Sequence, residues 1–172
     1  KVKKIYSNLE DAFGRAVAVY GPYDTWLNGL STREEKTTRI GQRITEFMKL
    51  SKDCGMASGV NNTCFKEHSA YSVITADGTA IAIDSNTDSI TFDIDGSNKG
   101  KNDLGFDTFR FDLTNDGVIP DGCEHSMLME SGRYSNATCW IIQNGNMDYL
   151  KTNGNVCPNG KELDWTTNTS CK

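Results

Sequence analysis

The sequence has little proline and histidine and no long apolar run. It contains 3 prolines and 2 histidines among 172 residues. No segment reaches the ~20 consecutive apolar residues that span a bilayer. No P-loop, G-x-G-x-x-G, G-x-S-x-G or H-E-x-x-H motif occurs, and His68 and His125 both lie in polar segments. We therefore expect no integral membrane bundle, no enzyme of these classes and no resident cofactor.

The chain also lacks an excess of basic residues. Lys and Arg number 18 against 23 Asp and Glu, which gives a net charge of −5. A protein that covers duplex DNA with a whole face carries the opposite balance. The one basic cluster that could contact DNA is small and consists of Lys99, Lys101 and Arg110. We therefore expect no nucleic-acid partner. A hydrophobic share of 37% and a charged share of 24% are those of a globular domain.

Cysteine is plentiful, and its spacing is informative. There are 6 cysteines and no C-x-x-C pair. An even number predicts disulfides and an oxidising compartment. Reduced buried thiols and a zinc site around Cys123, His125 and Cys139 are the alternatives. Sequence alone does not select a pairing; the simplest one is sequential, with each disulfide closing a short polar loop: Cys54 with Cys64, Cys123 with Cys139, and Cys157 with Cys171.

The first 50 residues predict two helices. Residues 1–20 carry an apolar stripe with helical spacing, and Gly21-Pro22 ends it. No capping residue precedes Lys1, so we expect this helix to be the C-terminal half of a longer one. Ser31 and Glu34 match a capping box that opens a second helix reaching to about Lys52. The stripe residues expected to pack the first helix on the rest of the domain are Ile5, Leu9, Phe13, Ala16 and Val17.

From residue 70 the apolar spacing changes to that of strands. Strands are predicted around 71–73, 80–83, 89–94, 106–113, 118–119 and 140–142, with Asp77-Gly78 as a hairpin turn. Met147 to Lys151 is predicted as one helical turn. A helix followed by antiparallel hairpins predicts an α+β fold. We expect one domain over residues 1–172, divided into the helix (1–20), a loop, second helix and first disulfide loop (22–69), the sheet (70–151) and a C-terminal disulfide loop (152–172).

The densest polar segment is residues 93–107. Asp93, Asp95 and Ser97 stand two residues apart and could direct oxygens into one loop, as calcium requires. The EF-hand template fails, because Asn98 and Leu104 stand where that template needs Gly and Glu. A loop held by Asx turns and glycines is the simpler interpretation. A calcium site therefore remains open as a weak candidate.

Two tryptophans in loops are candidate contact residues. Trp26 and Trp165 could stack on a sugar or another ligand, whereas Trp140 lies in an apolar run and is expected in the core. These features would suit a secreted, disulfide-bonded binding or adhesion module.

Three segments, in their order along the chain, resemble the type IV pilin-like proteins. Residues 4–26, KIYSNLEDAFGRAVAVYGPYDTW, resemble the exposed half of that family's N-terminal helix. Residues 92–122, FDIDGSNKGKNDLGFDTFRFDLTNDGVIPDG, resemble its strand, glycine-rich connection and D-G-x-I-P-x-G hairpin. Residues 139–151, CWIIQNGNMDYLK, resemble the closing strand region of some members. The resemblance covers about two fifths of the chain.

The resemblance implies a structural subunit of a type IV pilus or a type II secretion pseudopilus. Such subunits act by assembly, are anchored in the inner membrane through an apolar segment upstream, and pack side by side in an extracellular or periplasmic filament. In members of the family a disulfide often closes the C-terminal region, where Cys157 and Cys171 stand here. The implied partners are other pilin subunits, and this stretch alone is expected to be a monomer.

Overall fold

The computed structural model describes residues 1–123, 137–164 and 167–172. Across these residues, six strands form one antiparallel sheet in chain order, from β1 at one edge to β6 at the other. The α+β class, with an N-terminal helix and an antiparallel sheet, is thereby confirmed. The elements are α1 (Val2–Tyr20), α2 (Arg33–Thr45), β1 (Leu50–Ala57), β2 (Ala70–Thr75), β3 (Ala80–Asp84), β4 (Ser89–Asp93), β5 (Thr108–Thr114), β6 (Gly117–Pro120) and α3 (Ala137–Asn144).

Helix α1 lies along one face of the sheet. Its apolar stripe is buried, and its end comes where the sequence predicts it: Gly21 adopts φ 83° and its N–H donates to the carbonyl of Val17. Pro22, which follows, cannot continue the helical hydrogen bonds. The stripe packs into the same core as the inward side chains of the sheet, including Phe92 and Phe111.

Helix α2 begins one residue later than predicted and ends earlier. Thr32, not Ser31, is the N-cap, and its partner in the capping box is Glu35 rather than Glu34. The helix stops at Thr45 instead of about Lys52, because residues from Leu50 onward form β1, paired with β2. Strand β1 is an edge strand with two register irregularities, and its polar segment lacks the alternation that marks a half-buried strand.

The strands from β2 to β6 follow the predicted hairpins. In β3, Ile81 and Ile83 face the helices, whereas Ala80 and Ala82 face the opposite side. Phe65, from the first disulfide loop, covers the two alanines there and forms a small second apolar cluster. This alternation fixes the register of the strand, because a slip of one residue would exchange the two faces.

The segment 140–142 was expected to be a strand, and that prediction is wrong. Trp140, Ile141 and Ile142 belong to α3, which contacts α1, β5 and β6. A short apolar run does not distinguish a buried strand from a buried helix. At the start of α3, the N–H of Cys139 donates to the carbonyl of Asp121, just after β6. The predicted helical turn at the end of this region is present as a 3₁₀ turn, Asp148–Lys151.

The cysteines are paired sequentially. Disulfides join Cys54 to Cys64, Cys123 to Cys139 and Cys157 to Cys171, and none of the cysteines is free. These bonds exclude the zinc site and the reduced thiols. They indicate an oxidising environment, extracellular or periplasmic.

Helix α2 packs tightly against the sheet at Gly41. A Cβ added there would lie 2.2 Å from Cγ of Tyr71 on β2. Tyr71 is buried, and its hydroxyl donates to Asp53, so its ring has little room to move. We expect Gly41→Ala to lower the free energy of unfolding by about 1–3 kcal/mol, the usual cost of overpacking. Urea unfolding would measure it, with Gly14→Ala on α1 as the control, because a Cβ at Gly14 meets nothing within 4 Å.

Candidate functional site

The predicted packing face of α1 is the face that meets the sheet. Four of the five expected residues are buried, with Leu9 and Ala16 completely so, and Val17 is partly buried against the same core. Two further residues, Val2 and Ala12, join them. The stripe therefore holds α1 against its own domain.

The opposite face of α1 is open to solvent. Val19 is 62% exposed, and Ala18 and Gly14 are exposed as well. Charged residues, including Asp11 and Arg15, occupy the rest of this face, and those two form an ion pair at 3.8 Å. The result is a helix with one face in the core and one exposed, mainly polar face that carries small and apolar residues in its C-terminal half.

The loop after α1 is built on buried aromatic rings. Trp26 is 1% exposed, and its Nε1–H donates to the carbonyl of Gly21 at 2.8 Å. Its ring contacts those of Phe13 and Tyr23. The guanidinium of Arg43 lies 5.5 Å from the Trp26 ring centroid. Trp26 therefore does not offer a surface for stacking on a ligand, contrary to the expectation from sequence, while Trp165 and His125 lie outside the described residues.

Tyr23 ties this loop to the end of the sheet. Its hydroxyl donates to Asp88, in the β3–β4 turn, at 2.8 Å. Burial and the Asp88 carboxylate both raise the pKa of Tyr23 above the usual tyrosine value, so the phenol stays protonated. Beside it, Asp24 and Asn115 exchange hydrogen bonds, the backbone N–H of Asp24 donating at 2.9 Å. These contacts fix the C-terminal end of α1 against the sheet.

The 93–107 segment is organised by two carboxylates. Asp107 accepts hydrogen bonds from the backbone N–H groups of Lys101 (2.7 Å), Asn102 (3.0 Å) and Asp103 (2.8 Å). Asp93, at the end of β4, accepts from the N–H groups of Asp95 and Gly96 through Oδ1. The Asx turns and glycines expected of this loop are present, and the organising role of Asp107 was not predicted.

Asp93 carries the least satisfied polar atom of this loop. The residue is 0% exposed, and its Oδ2 has no hydrogen-bond partner. Burial, then the adjacent Asp95 carboxyl, and then the charge of Asp107 raise the pKa of Asp93 to about 6. A buried anion among other anions is costly unless a proton or a cation neutralises it.

The three predicted calcium ligands are not all available together. Asp93 and Asp95 lie side by side, but the hydroxyl of Ser97 donates to the carbonyl of Cys64 and accepts from the N–H of Lys66. Instead, Asp95 and Asp107 both approach Gly100, where a Cβ would lie 3.1 Å and 2.3 Å from their Oδ2 atoms. Within the described ranges, no three His, Cys, Asp or Glu side chains form a group that could hold a metal by themselves. Calcium there would need backbone carbonyls and water as further ligands.

The C-terminal disulfide loop is held by Asp148. One carboxylate oxygen accepts from Nζ of Lys151 at 2.9 Å; the other accepts from Oγ of Ser170 at 3.0 Å and from the N–H of Cys171 at 2.9 Å. The Lys151 side chain, followed by the N–H of Cys171, lowers the pKa of Asp148 to about 2. A single carboxylate thus joins the 3₁₀ turn to the final residues, and nothing in the spacing of the sequence pointed to it.

Protonating Asp148 should loosen this loop. The folded-state pKa lies below the unfolded value, so the contribution to stability is complete above about pH 4 and is lost as the pH falls toward 2. Asp148→Asn should lower the free energy of unfolding at pH 7 by about 1–3 kcal/mol and remove this acid dependence. Urea unfolding at pH 7 would test the first expectation, and amide hydrogen exchange of residues 167–172 between pH 2 and pH 5 would test the second. Asp116→Asn, an exposed turn residue, is the control that should retain the dependence.

The comparisons with known proteins identify no relative. No family model matches the chain, and neither a curated protein nor a solved structure similar to it is found. Of the helices in the described part of the chain, none has the length and apolarity to cross a bilayer.

Proposed function

We propose that this chain is the headpiece of a filament subunit of the type IV pilin class, from a pilus or a type II secretion pseudopilus. The observation that carries the proposal is the arrangement of α1. An amphipathic N-terminal helix lies along an antiparallel sheet with its apolar stripe inward, while Gly14, Ala18 and Val19 are exposed on the C-terminal half of its otherwise polar outer face. In such a filament the outer face packs against neighbouring subunits, and the upstream half of the helix anchors the protein in the inner membrane before assembly.

The disulfides support the same proposal. They assign the domain to an oxidising compartment, where the headpieces of such filaments are exported and assembled. The subunit then acts by assembly, without catalysis. Because the proposed contacts depend on the upstream half of the helix, the chain of residues 1–172 alone should be a monomer in light scattering. A stable oligomer of this stretch would count against the proposal.

A pair of matched substitutions in the full-length protein tests the filament interface. Val19 on α1 and Val60 in the first disulfide loop are both exposed, at 62% and 89%. Val19→Glu should abolish incorporation into filaments, because it introduces a charge where α1 meets its neighbour. Val60→Glu should leave incorporation intact. The amount of subunit in a sheared filament fraction is the readout, and equal unfolding midpoints of the two isolated headpieces would show that folding is unaffected.

The outcome that contradicts the proposal is normal assembly of the Val19→Glu variant, or secretion of the wild-type protein without any filament fraction. The latter would favour a secreted disulfide-bonded binding module. Of the two tryptophans that such a module would use to contact a ligand, Trp26 is buried and therefore not available.

We also propose that the 93–107 loop takes up calcium weakly through Asp93 and Asp95. The unpartnered, fully buried Oδ2 of Asp93 is the observation in favour. With two carboxylates and neutral ligands, the affinity should lie at the weak end of extracellular sites, about 10⁻⁴–10⁻³ M. Calcium should raise the unfolding temperature of the wild type but not of Asp93→Asn, and Asp116→Asn should respond like the wild type. An unfolding temperature that does not change with calcium in the wild type would refute the site.

A further inference from the structure

A groove of about 420 Å³ runs between α1, the α2–β1 connection and the β2–β3 turn. We call it the lysine groove. Its charged lining comprises the cations Lys4, Arg15 and Lys49 and the carboxylates Asp11 and Asp77, and its apolar wall includes Ile5, Phe47 and Met48. Lys4 and Arg15 fall on the same face of α1, three helical turns apart, so the groove follows the helix axis.

The cations of the lysine groove are only weakly neutralised. Lys4 meets Asp77 at 4.0 Å and Arg15 meets Asp11 at 3.8 Å, with the side chains between 40% and 68% exposed. Ion pairs this long and this exposed contribute little. Lys49 is exposed and takes part in none of the ion pairs formed by the described residues. Three cations and two carboxylates line the groove, so it carries an excess of one positive charge on a protein whose net charge is −5.

The excess of positive charge extends past the groove to the start of α1. Nζ of Lys1 donates to the carbonyl of Ile94, at the end of the sheet where the β2–β3 turn also lies. Lys3 lies on the other side of the helix, near Gly145, so it takes no part in this surface.

The main chain around the groove is already paired. The N–H of Ala76 donates to the carbonyl of Lys49 at 2.9 Å, and the N–H of Thr75 donates to the carbonyl of Thr79 at 2.9 Å. Strand β2 lies between β1 and β3, so it offers no free edge. A peptide that binds by adding a strand needs such an edge. A ligand of this groove must therefore be recognised by its negative charge and its apolar surface.

We propose that the lysine groove, together with Lys1 beside it, binds the surface of an anionic phospholipid membrane. Lysine combines a charge that suits a phosphate with a long apolar stem, which lets it reach across the interface. Phe47 and Met48, both partly buried, supply the apolar surface beneath the head groups. The guanidinium of Arg15, 5.0 Å from the centroid of Phe47, joins the two parts. This proposal goes beyond filament assembly and does not depend on it.

Co-sedimentation of residues 1–172 with vesicles tests the proposal. Vesicles of equal phosphatidylglycerol and phosphatidylcholine should bind the protein, whereas phosphatidylcholine alone should not, and raised salt should release it. The double variant Lys4→Gln, Lys49→Gln should bind about 30-fold more weakly, since each lysine near an anionic surface contributes about fivefold. Lys66→Gln with Lys172→Gln is the matched control. It removes the same charge from exposed lysines outside the groove, and it should bind like the wild type.

Three results would overturn the proposal. The first is no binding to phosphatidylglycerol vesicles at low ionic strength. The second is equal loss of binding in the groove variant and its control, which would make the attraction a property of total charge. The third is binding of soluble polyglutamate, with the same dependence on Lys4 and Lys49, when vesicles do not bind. That result would assign the groove to an acidic protein partner. None of these results bears on filament assembly, which the Val19→Glu variant tests separately.

Discussion

Replacing Leu9 with alanine should lower the free energy of unfolding by about 3–5 kcal/mol. Leu9 is 0% exposed in the middle of the α1 stripe, among the inward side chains of the sheet. Its loss removes apolar contacts on both sides and leaves a cavity that the helix and the sheet can fill only in part. Guanidinium unfolding followed by tryptophan fluorescence would measure the change.

Val19→Ala is the control for this prediction, because it shortens an exposed residue of the same helix. It should change the free energy of unfolding by no more than about 0.5 kcal/mol. If Leu9→Ala were as mild as the control, α1 would not be part of the folded core, and its role in holding the domain together would have to be abandoned.

Removing the disulfide between Cys157 and Cys171 should cost about 3 kcal/mol. It closes a loop with a sequence separation of 14. In the chain-entropy description, a loop of about 15 residues gives ~3 kcal/mol by restricting the unfolded state. The double substitution Cys157→Ala, Cys171→Ala removes the bond without leaving a free thiol, and thermal unfolding gives its effect.

The hydrogen bonds of Asp148 provide a further test of the role of this disulfide. Because the carboxylate also binds the N–H of Cys171, Asp148→Asn and the disulfide variant should not be additive. A triple variant should lose less stability than the two effects combined. Full additivity would show that the carboxylate and the disulfide stabilise the C-terminal loop independently, contrary to the contacts described above.

The fold was largely predictable because its helices and hairpins follow strong local rules. Three sequence patterns are each compatible with only one kind of secondary structure: the apolar stripe of α1, the end of that helix at Gly21, and the alternating apolar residues of β4. Strand β1 was missed, since an edge strand with irregular register needs no apolar alternation. Residues 140–142 were assigned to a strand, because a three-residue apolar run in α3 is compatible with either structure.

The functional residues were harder to foresee. Trp26 looked like a loop residue available to a ligand, and only the tertiary structure shows that Phe13, Tyr23 and Arg43 surround it. Asp107 and Asp148 act on backbone N–H groups, and no side-chain spacing reveals such contacts. The lysine groove joins three segments distant in sequence, so no single stretch of the sequence reveals it.

The native N terminus of the full-length protein tests the filament proposal most directly. Intact mass and N-terminal sequencing of protein purified from its own cells would measure it. The proposal predicts a short basic leader removed ahead of an apolar helix that continues into α1. A cleaved secretory signal peptide immediately before Lys1 would contradict it and would leave the secreted binding module as the better account.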